Sequence, residues 1–274
     1  MRTQATVLAV ALLAVGGGAA HAADRRTPAQ QREIARLEQR IARLARETEA
    51  VEDVAAIKAL QAAYGYYLDR GAWDEVVALF TDDATIEYGN EGVYVGKPHI
   101  RAYFQRLGGG RNGLAPGQLD SRFLIMPVVT LSRDGTAAMG RWKDIALKGQ
   151  YGQEASWGDG VYENLYVKRD GVWKIKALHR YTDFVAPYDK GWSGSTGEPD
   201  ISIAARSLPA DRPPTFRYDP YPGVFVAPYH PQVYVPAGNP ELRGQMLPAD
   251  APRPEGVGAL PAPPNPPAAA GSPR

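Results

Sequence analysis

The chain contains no cysteine among its 274 residues, and this absence excludes several kinds of chemistry. Disulfide bonds, catalytic thiolates, cysteine-ligated zinc sites and the lipid anchor of a lipoprotein all need that side chain. Only four histidines are present, and no two of them are four residues apart. The sequence therefore shows no local metal-binding motif, and we expect neither a metal nor a cofactor.

The chain also lacks a charge excess of either sign. Lys and Arg number 31 against 30 Asp and Glu, whereas a nucleic-acid-binding domain usually has a clear basic excess. We therefore expect no nucleic-acid partner and no strong electrostatic attraction to a membrane surface. A phosphate-binding loop, a serine-nucleophile elbow and a dinucleotide-binding fingerprint are missing as well.

Residues 1–22 have the pattern of a secretory signal peptide. Arg2 supplies a positive charge, residues 5–15 are an apolar run, and Ala20-His21-Ala22 has the A-x-A form of a cleavage site. The apolar run is too short to span a bilayer comfortably. We expect a periplasmic or secreted protein that begins at Ala23 and has no stable membrane span. An uncleaved anchor is the alternative.

Residues 23–50 are predicted to form an amphipathic helix with heptad spacing. Arg and Glu fill most of the positions around an apolar stripe that consists of Ile34, Leu37, Ile41, Leu44 and Val51. About two to three heptads are present, near the lower limit for an isolated coiled coil. Two interpretations stand: a coiled coil that makes a homodimer, or a helix that packs on its own domain.

Residues 51–186 are predicted to form one α+β domain. Two further helices and a helix opened by Pro98 precede most of the strands, which are expected near 84–88, 92–95, 119–131, 136–147, 156–168 and 172–181. The pairs Asp134-Gly135 and Asp170-Gly171 are typical of hairpin turns. Helices followed by a meander of strands indicate a sheet with helices on one face.

The composition changes after this domain, because 19 of the 24 prolines lie beyond residue 198. Residues 187–247 mix proline with aromatic residues and are expected to lie extended along the domain or along a partner. Residues 248–274 contain almost no large apolar side chain and are expected to be disordered.

Two stretches carry a resemblance to a known family. The first is Tyr67-Leu68-Asp69-Arg70-Gly71-Ala72-Trp73 with the Ile86-Glu87-Tyr88 that follows it, and the second runs from Gly160-Val161-Tyr162 to Asp170-Gly171-Val172-Trp173-Lys174-Ile175. This pattern resembles the nuclear transport factor 2-like (SnoaL-like) superfamily over about half the chain, nearest the scytalone dehydratase and bile-acid dehydratase branch. The resemblance implies a cone, in which a curved antiparallel sheet with three N-terminal helices surrounds a pocket.

The resemblance also implies catalytic residues. In that branch an aspartate at the end of the first helix works with a histidine on the first long strand. Asp69 matches the aspartate, and Tyr88 matches a pocket tyrosine of scytalone dehydratase. Arg122 stands at the histidine position, so the proton-transfer pair of the branch is incomplete in this chain.

Asp69 and His179 are the candidate catalytic residues. Asp69 lies near a helix C-terminus, where the macrodipole disfavours a carboxylate, and a residue placed against local preference is often functional. The alternative is an ordinary ion pair with Arg70. His179 shares strand parity with Trp173 and Ile175, which predicts a buried position, either as a general acid or base or as a core histidine.

The candidate substrate-binding residues are polar and aromatic. The planar guanidinium of Arg122 suits a carboxylate or enolate oxygen, although a salt bridge to Asp69 or simple exposure would also explain it. On the third long strand, large residues alternate with small ones, as the wall of a cavity requires. The remaining candidates for that wall are Tyr67, Tyr88, Trp142, Tyr162 and Asn164.

These observations predict an exported small-molecule pocket protein. If it is an enzyme, we expect a cofactor-free lyase (dehydratase) or isomerase that acts on a cyclic hydrophobic substrate. Asp69 would abstract a proton next to a carbonyl, and Arg122, Tyr88 or His179 would stabilise the oxyanion. A non-catalytic ligand-binding module and a dimeric structural protein of the envelope are the alternatives.

Overall fold

A computed structural model of the chain describes residues 27–107, 110–194 and 208–215. The expected signal peptide, most of the proline-rich segment and residues 248–274 lie outside these ranges. The elements follow in the order α1 (Pro28–Arg70), α2 (Trp73–Ala78), β1 (Phe80–Tyr88), β2 (Val93–Val95), α3 (Gly96–Leu107), β3 (Gln118–Leu131), β4 (Ala137–Gln150), β5 (Glu154–Arg169) and β6 (Val172–Pro187), with a 3-10 turn at Trp192–Gly194. Within the described residues, no helix is long and apolar enough to cross a membrane.

Helix α1 is a single helix of 43 residues, where the sequence suggested a heptad helix and then a second one. It is continuous because neither glycine nor proline interrupts it before Gly65. The chain divides into two compact units, residues 1–49 and residues 50–274. In the second unit, α1 buries Ile57, Tyr64 and Leu68.

A buried carboxylate fixes α1 against the last two strands. Asp53 Oδ1 accepts a hydrogen bond from Trp173 Nε1 at 2.8 Å and lies 2.8 Å from Lys168 Nζ. Trp173 is on β6 and Lys168 is on β5, so one side chain of the helix contacts both strands of the closing hairpin.

The sheet has six strands in the order β2-β1-β6-β5-β4-β3. All neighbouring pairs are antiparallel except β1 and β6, which run parallel. Parallel neighbours need a long connection, and here it contains β2, α3 and the three strands β3–β5. Strand β1 also begins earlier than the expected start near residue 84, since Phe80 already pairs with Ile175.

A β-bulge in β6 reverses which residues face the core. Ile175 pairs with Tyr166 and Ala177 pairs with Leu165, so Lys176 is an extra residue in that strand. Ile175 and Leu178 are both buried as a result, although they are three residues apart. The expectation that His179 shares the face of Trp173 and Ile175 is therefore wrong, and Arg180 takes the inward position.

Residues 208–215 lie along the edge strand β2. Val93 N donates to Arg212 O at 3.0 Å, and Asp211 N donates to Val93 O at 3.0 Å. The carboxylate of Asp211 accepts a hydrogen bond from Val95 N at 2.7 Å and lies 2.7 Å from His99 Nδ1. This part of the proline-rich segment therefore covers an exposed sheet edge of its own domain.

Candidate functional site

The inner face of the sheet and α3 enclose a small cavity of about 30 Å³. Its polar lining includes Tyr88, Arg122, Lys148, Arg180 and Thr182, and its apolar lining includes Tyr103, Leu107, Trp157 and Val185. An ordered water needs roughly 10–15 Å³ of such space. The cavity therefore holds about two waters or one small polar group.

A second concavity is larger but open. It measures about 750 Å³ and is lined by the chain around Tyr151 and by residues 187–190. Binding sites for small molecules are enclosed and combine apolar walls with a few converging polar groups. The first cavity is the more enclosed of the two and has such a mixed lining, so we take it as the candidate site.

Asp144 and Arg180 form a tight ion pair behind the cavity. Asp144 is 0% exposed, and its Oδ2 accepts a hydrogen bond from Arg180 Nε at 2.6 Å. Arg180 Nη1 donates to Thr182 Oγ1 at 2.7 Å. Burial raises the pKa of Asp144, but the charges of Arg180 and Arg122 outweigh that effect and lower it. Asp144 is thus a fixed anion and not a proton carrier.

Arg122 is also buried, but its contacts are long. Its guanidinium lies 3.4 Å from Asp120 Oδ1, 3.4 Å from Asp144 Oδ2 and 3.4 Å from the Tyr162 hydroxyl. Its Nε has no hydrogen-bond partner among the described residues. Charge-assisted N–H···O bonds are normally about 2.7–2.9 Å long, so this guanidinium is incompletely coordinated.

Three tyrosine hydroxyls lie beside Arg122. The hydroxyls of Tyr64 and Tyr88 are hydrogen-bonded to each other, and the Tyr162 ring packs edge-on against both tyrosine rings. Burial raises the pKa of all three hydroxyls. They therefore stay protonated at neutral pH and can donate hydrogen bonds.

Three of the predicted site residues, Tyr88, Arg122 and Tyr162, come together here, and Asp69 lies next to them. Asp69 Oδ1 accepts a hydrogen bond from the backbone N–H of Arg122 at 2.8 Å. Its partner is thus the backbone of Arg122 and not the guanidinium. Burial raises the pKa of Asp69, and the bond from Arg122 only partly opposes this. Asp69 is half-buried and is not part of the cavity lining.

Trp142 and Asn164, predicted to contact substrate, belong to a separate buried network. Tyr166 OH accepts from Trp142 Nε1 at 3.0 Å and donates to Gln61 Oε1 at 2.7 Å. Asn164 Nδ2 donates to the same Gln61 oxygen at 3.0 Å. These bonds join α1 to β4 and β5. Tyr67 is half-buried and packs against the hydrophobic core, so these three residues lie outside the cavity lining.

His179 lies on the outer face of the sheet. Its Nδ1 is 3.5 Å from Glu87 Oε2, and its ring stacks on Tyr181 with a centroid separation of 3.8 Å. Glu87 also accepts hydrogen bonds from the backbone and hydroxyl of Thr215 at 2.8 Å. The structure does not bring His179 to the cavity.

Sequence reasoning missed Asp144 and Arg180. Asp144 has the same strand parity as Trp142 and Ala146, and this alternation could have indicated an inward carboxylate. The bulge in β6 concealed Arg180. Gly160 provides its space, since an added Cβ would lie 3.2 Å from Arg180 Nη2 and 2.5 Å from Tyr181 O.

The two arginines should differ in their effect on stability. Arg180→Met removes the short hydrogen bond to Asp144 and leaves that buried carboxylate without its ion-pair partner. Losing one member of a buried ion pair lowers the free energy of unfolding by about 3–5 kcal/mol. Arg122→Met keeps the Arg180–Asp144 bond, so we expect a loss of less than about 2 kcal/mol, within the usual range of single substitutions. Urea denaturation of the mature protein measures both. Equal losses would show that the two guanidinium groups are equivalent.

Comparison with known proteins identifies the type of domain. The model of the SnoaL-like domain matches residues 49–179. Similar solved structures include a candidate scytalone dehydratase from Novosphingobium aromaticivorans, with 22% identity over 52% of this chain and 91% of that chain and a TM-score of 0.46. A type 3 hexachlorocyclohexane dehydrochlorinase from Novosphingobium barchaimii has 18% identity over 52% of this chain and 93% of that chain, with a TM-score of 0.45.

A nuclear transport factor 2-like protein from Novosphingobium aromaticivorans has 20% identity over 60% of this chain and 94% of that chain, with a TM-score of 0.42. At such identities the structural matches concern the fold alone. The family assignment rests on the sequence model and on the six-stranded sheet with its helices. Residues 49–179 of this chain are thus a SnoaL-like domain with the nuclear transport factor 2-like fold.

Proposed function

We propose that the SnoaL-like domain binds a small organic molecule whose oxygen-bearing group occupies the cavity beside Tyr88, Arg122 and Arg180. One observation carries this proposal: in the more enclosed of the two concavities, hydrogen-bond donors that stay protonated meet in the lining. Such donors are preorganised for a carbonyl, an enolate or a carboxylate oxygen.

The rest of the lining suits the carbon skeleton of the ligand. Tyr103, Leu107, Trp157 and Val185 are aromatic or aliphatic, and apolar walls around a few polar groups are typical of small-molecule sites. A cyclic, hydrophobic molecule with one polar end therefore suits the lining, with its polar end in the space of about 30 Å³ and its ring in space that the cavity gains by widening. Binding of such a molecule without catalysis needs no residue besides those of the lining.

Filling the cavity should abolish binding. Ala146 lines it, and we expect Ala146→Leu to occupy its space at a cost of about 1–3 kcal/mol in stability. Ala62→Leu, on the exposed face of α1, is the matched control. A panel of cyclic ketones and acids is tested for a rise in the unfolding temperature of the mature protein. A compound that stabilises the wild type and Ala146→Leu equally would place its site elsewhere.

A cofactor-free lyase or isomerase is the second candidate, and the position of Asp69 favours it. One oxygen of this carboxylate is held by the backbone of Arg122, whose guanidinium lines the cavity. A carboxylate with a raised pKa is a better general base. In a substrate that reaches from the cavity to Asp69, this carboxylate would take the proton next to a carbonyl, and the electron pair would move to the carbonyl oxygen beside Arg122 and Tyr88. Return of that proton to another carbon, or its transfer to a β-hydroxyl that leaves as water, would complete the reaction.

Replacing the base should then stop turnover. We expect Asp69→Asn to lower kcat by about 10²-fold or more on any substrate found, the usual contribution of a general base. In the wild type, kcat/KM should fall as pH drops through the raised pKa of Asp69, because a protonated carboxyl cannot accept a proton. Asp74→Asn, at an exposed position on α2, is the control. Undiminished turnover by Asp69→Asn would exclude this chemistry.

We also propose a homodimer through α1. Leu37, Ile41 and Leu44 are 46%, 66% and 47% exposed in the single chain, although they are the apolar positions of a heptad pattern. The same stripe from a second copy would cover them. We expect the variant with both Ile41→Lys and Leu44→Lys to have half the mass of the wild type in light scattering. Ala42→Lys should leave the mass unchanged, and a monomeric wild type would refute the dimer.

Export of the chain is part of the same proposal. Its support is the signal-peptide pattern of residues 1–22. The protein recovered from the cell envelope or the medium should begin at Ala23 when its N-terminus is sequenced. Recovery of the unprocessed chain from the cytoplasm alone would contradict export.

A further inference from the structure

We infer that the group bound beside Arg122 is a carboxylate, so that the ligand is a small organic acid. This inference rests on the proposed function, since it takes the cavity as the ligand site. The structure offers three independent observations for it: the coordination of the two arginines, the charge of the lining, and the size of the cavity.

The two buried arginines are coordinated very differently. Arg180 has bonds of 2.6 Å to Asp144 and 2.7 Å to Thr182. The Arg122 guanidinium has polar contacts of 3.4 Å with Asp120, Asp144 and Tyr162, and its Nε has no hydrogen-bond partner among the described residues. Buried polar groups are almost always paired. A planar acceptor with two oxygens would complete the coordination of Arg122, and a carboxylate matches the guanidinium fork in this way.

The charged residues of the lining favour an anion. Arg122, Lys148 and Arg180 are cations, and Glu91 is the acidic residue in the described lining. Two buried carboxylates outside the lining offset the arginines: Asp144 is bonded to Arg180 at 2.6 Å, and Asp120 Oδ1 lies 3.4 Å from Arg122 Nε. An anionic group in the cavity would still meet the three cations of the lining directly, with Glu91 as the acidic residue there.

The hydroxyls and the volume narrow the choice of anion. Tyr88 stays protonated in the lining, and a carboxylate, which only accepts hydrogen bonds, is a suitable partner for it. A cavity of about 30 Å³ accommodates roughly two oxygen atoms, judged by the space that water needs. A carboxylate has two oxygens, whereas a phosphate or sulfate has four.

Paired probes that differ in charge but hardly in shape test the inference. The mature protein, labelled with ¹⁵N, is titrated with sodium acetate and separately with acetamide at constant ionic strength. The Nε–H signal of Arg122 is assigned by its loss in Arg122→Lys. We expect acetate to shift this signal saturably and to bind at least about tenfold more tightly than acetamide, since charge-assisted bonds are about twice as strong as neutral ones. Benzoate and benzamide repeat the comparison with a ring attached.

Three variants separate charge from shape. Arg122→Lys keeps the charge but loses the planar fork, so acetate should bind about tenfold more weakly. Arg122→Met should remove the preference for acetate over acetamide altogether. Arg101→Met, at an exposed position on α3, removes one positive charge outside the cavity and should leave the preference unchanged.

The outcomes distinguish this inference from the proposed function. If acetate and acetamide bind equally and Ala146→Leu blocks both, the cavity is a ligand site but not a carboxylate site. If Ala146→Leu blocks neither, the ligand site itself is wrong and both proposals fail. An acetate preference that persists in Arg122→Met, or an Arg122 signal that acetate never shifts, also overturns the inference.

Discussion

Asp144 is a carboxylate without solvent exposure, and it joins three strands of the sheet. It lies on β4, pairs with Arg180 on β6 at 2.6 Å and faces Arg122 on β3 at 3.4 Å. Taking charges out of water costs several kcal/mol for each ion, so this cluster persists only if its partners are in place. The unequal distances give the two arginines different roles. Arg180 neutralises Asp144, whereas the coordination of Arg122 is incomplete, which is why we propose Arg122 as the ligand-binding group.

Much of the fold could be predicted from the sequence, because local patterns specify it. The Asp134-Gly135 and Asp170-Gly171 turns separate the strands as expected, and both residues Asp170 and Gly171 have positive φ, which such turns require. The family motifs predicted the SnoaL-like domain, and the matched family model confirms it. Within the site, the structure brings Tyr88, Tyr162 and Arg122 close together.

The rest of the site depends on features that a single sequence does not display. One extra residue, Lys176, shifts the parity of β6, so His179 turns outward and Arg180 turns inward. The alternation of residues along one strand cannot predict such a bulge, because the bulge is defined by how β6 pairs with β5. Trp142 and Asn164 do lie on the inner face as predicted, but Gln61 from α1 meets Tyr166 and Asn164 there. That contact depends on how the helix packs, which strand patterns do not show.

The position of the helix and the edge strand limits where a ligand can bind. Gln61 and Asp53 fix α1 against β5 and β6. None of the described residues that line the cavity lies on α1. At the β2 edge of the sheet, residues 208–215 pair with β2 and bind Glu87. In the lining of the polar cavity, Arg122 Nε is a buried donor without an acceptor among the described residues.

The most direct test of this account is a crystal structure of the mature protein with a molecule that it binds in solution. The account predicts an oxygen of that molecule about 2.7–3.1 Å from the guanidinium of Arg122, in a cavity that widens around the rest of the ligand. A ligand in the open cleft beside Tyr151, or a structure in which Arg122 forms short bonds with its own carboxylates, would contradict it.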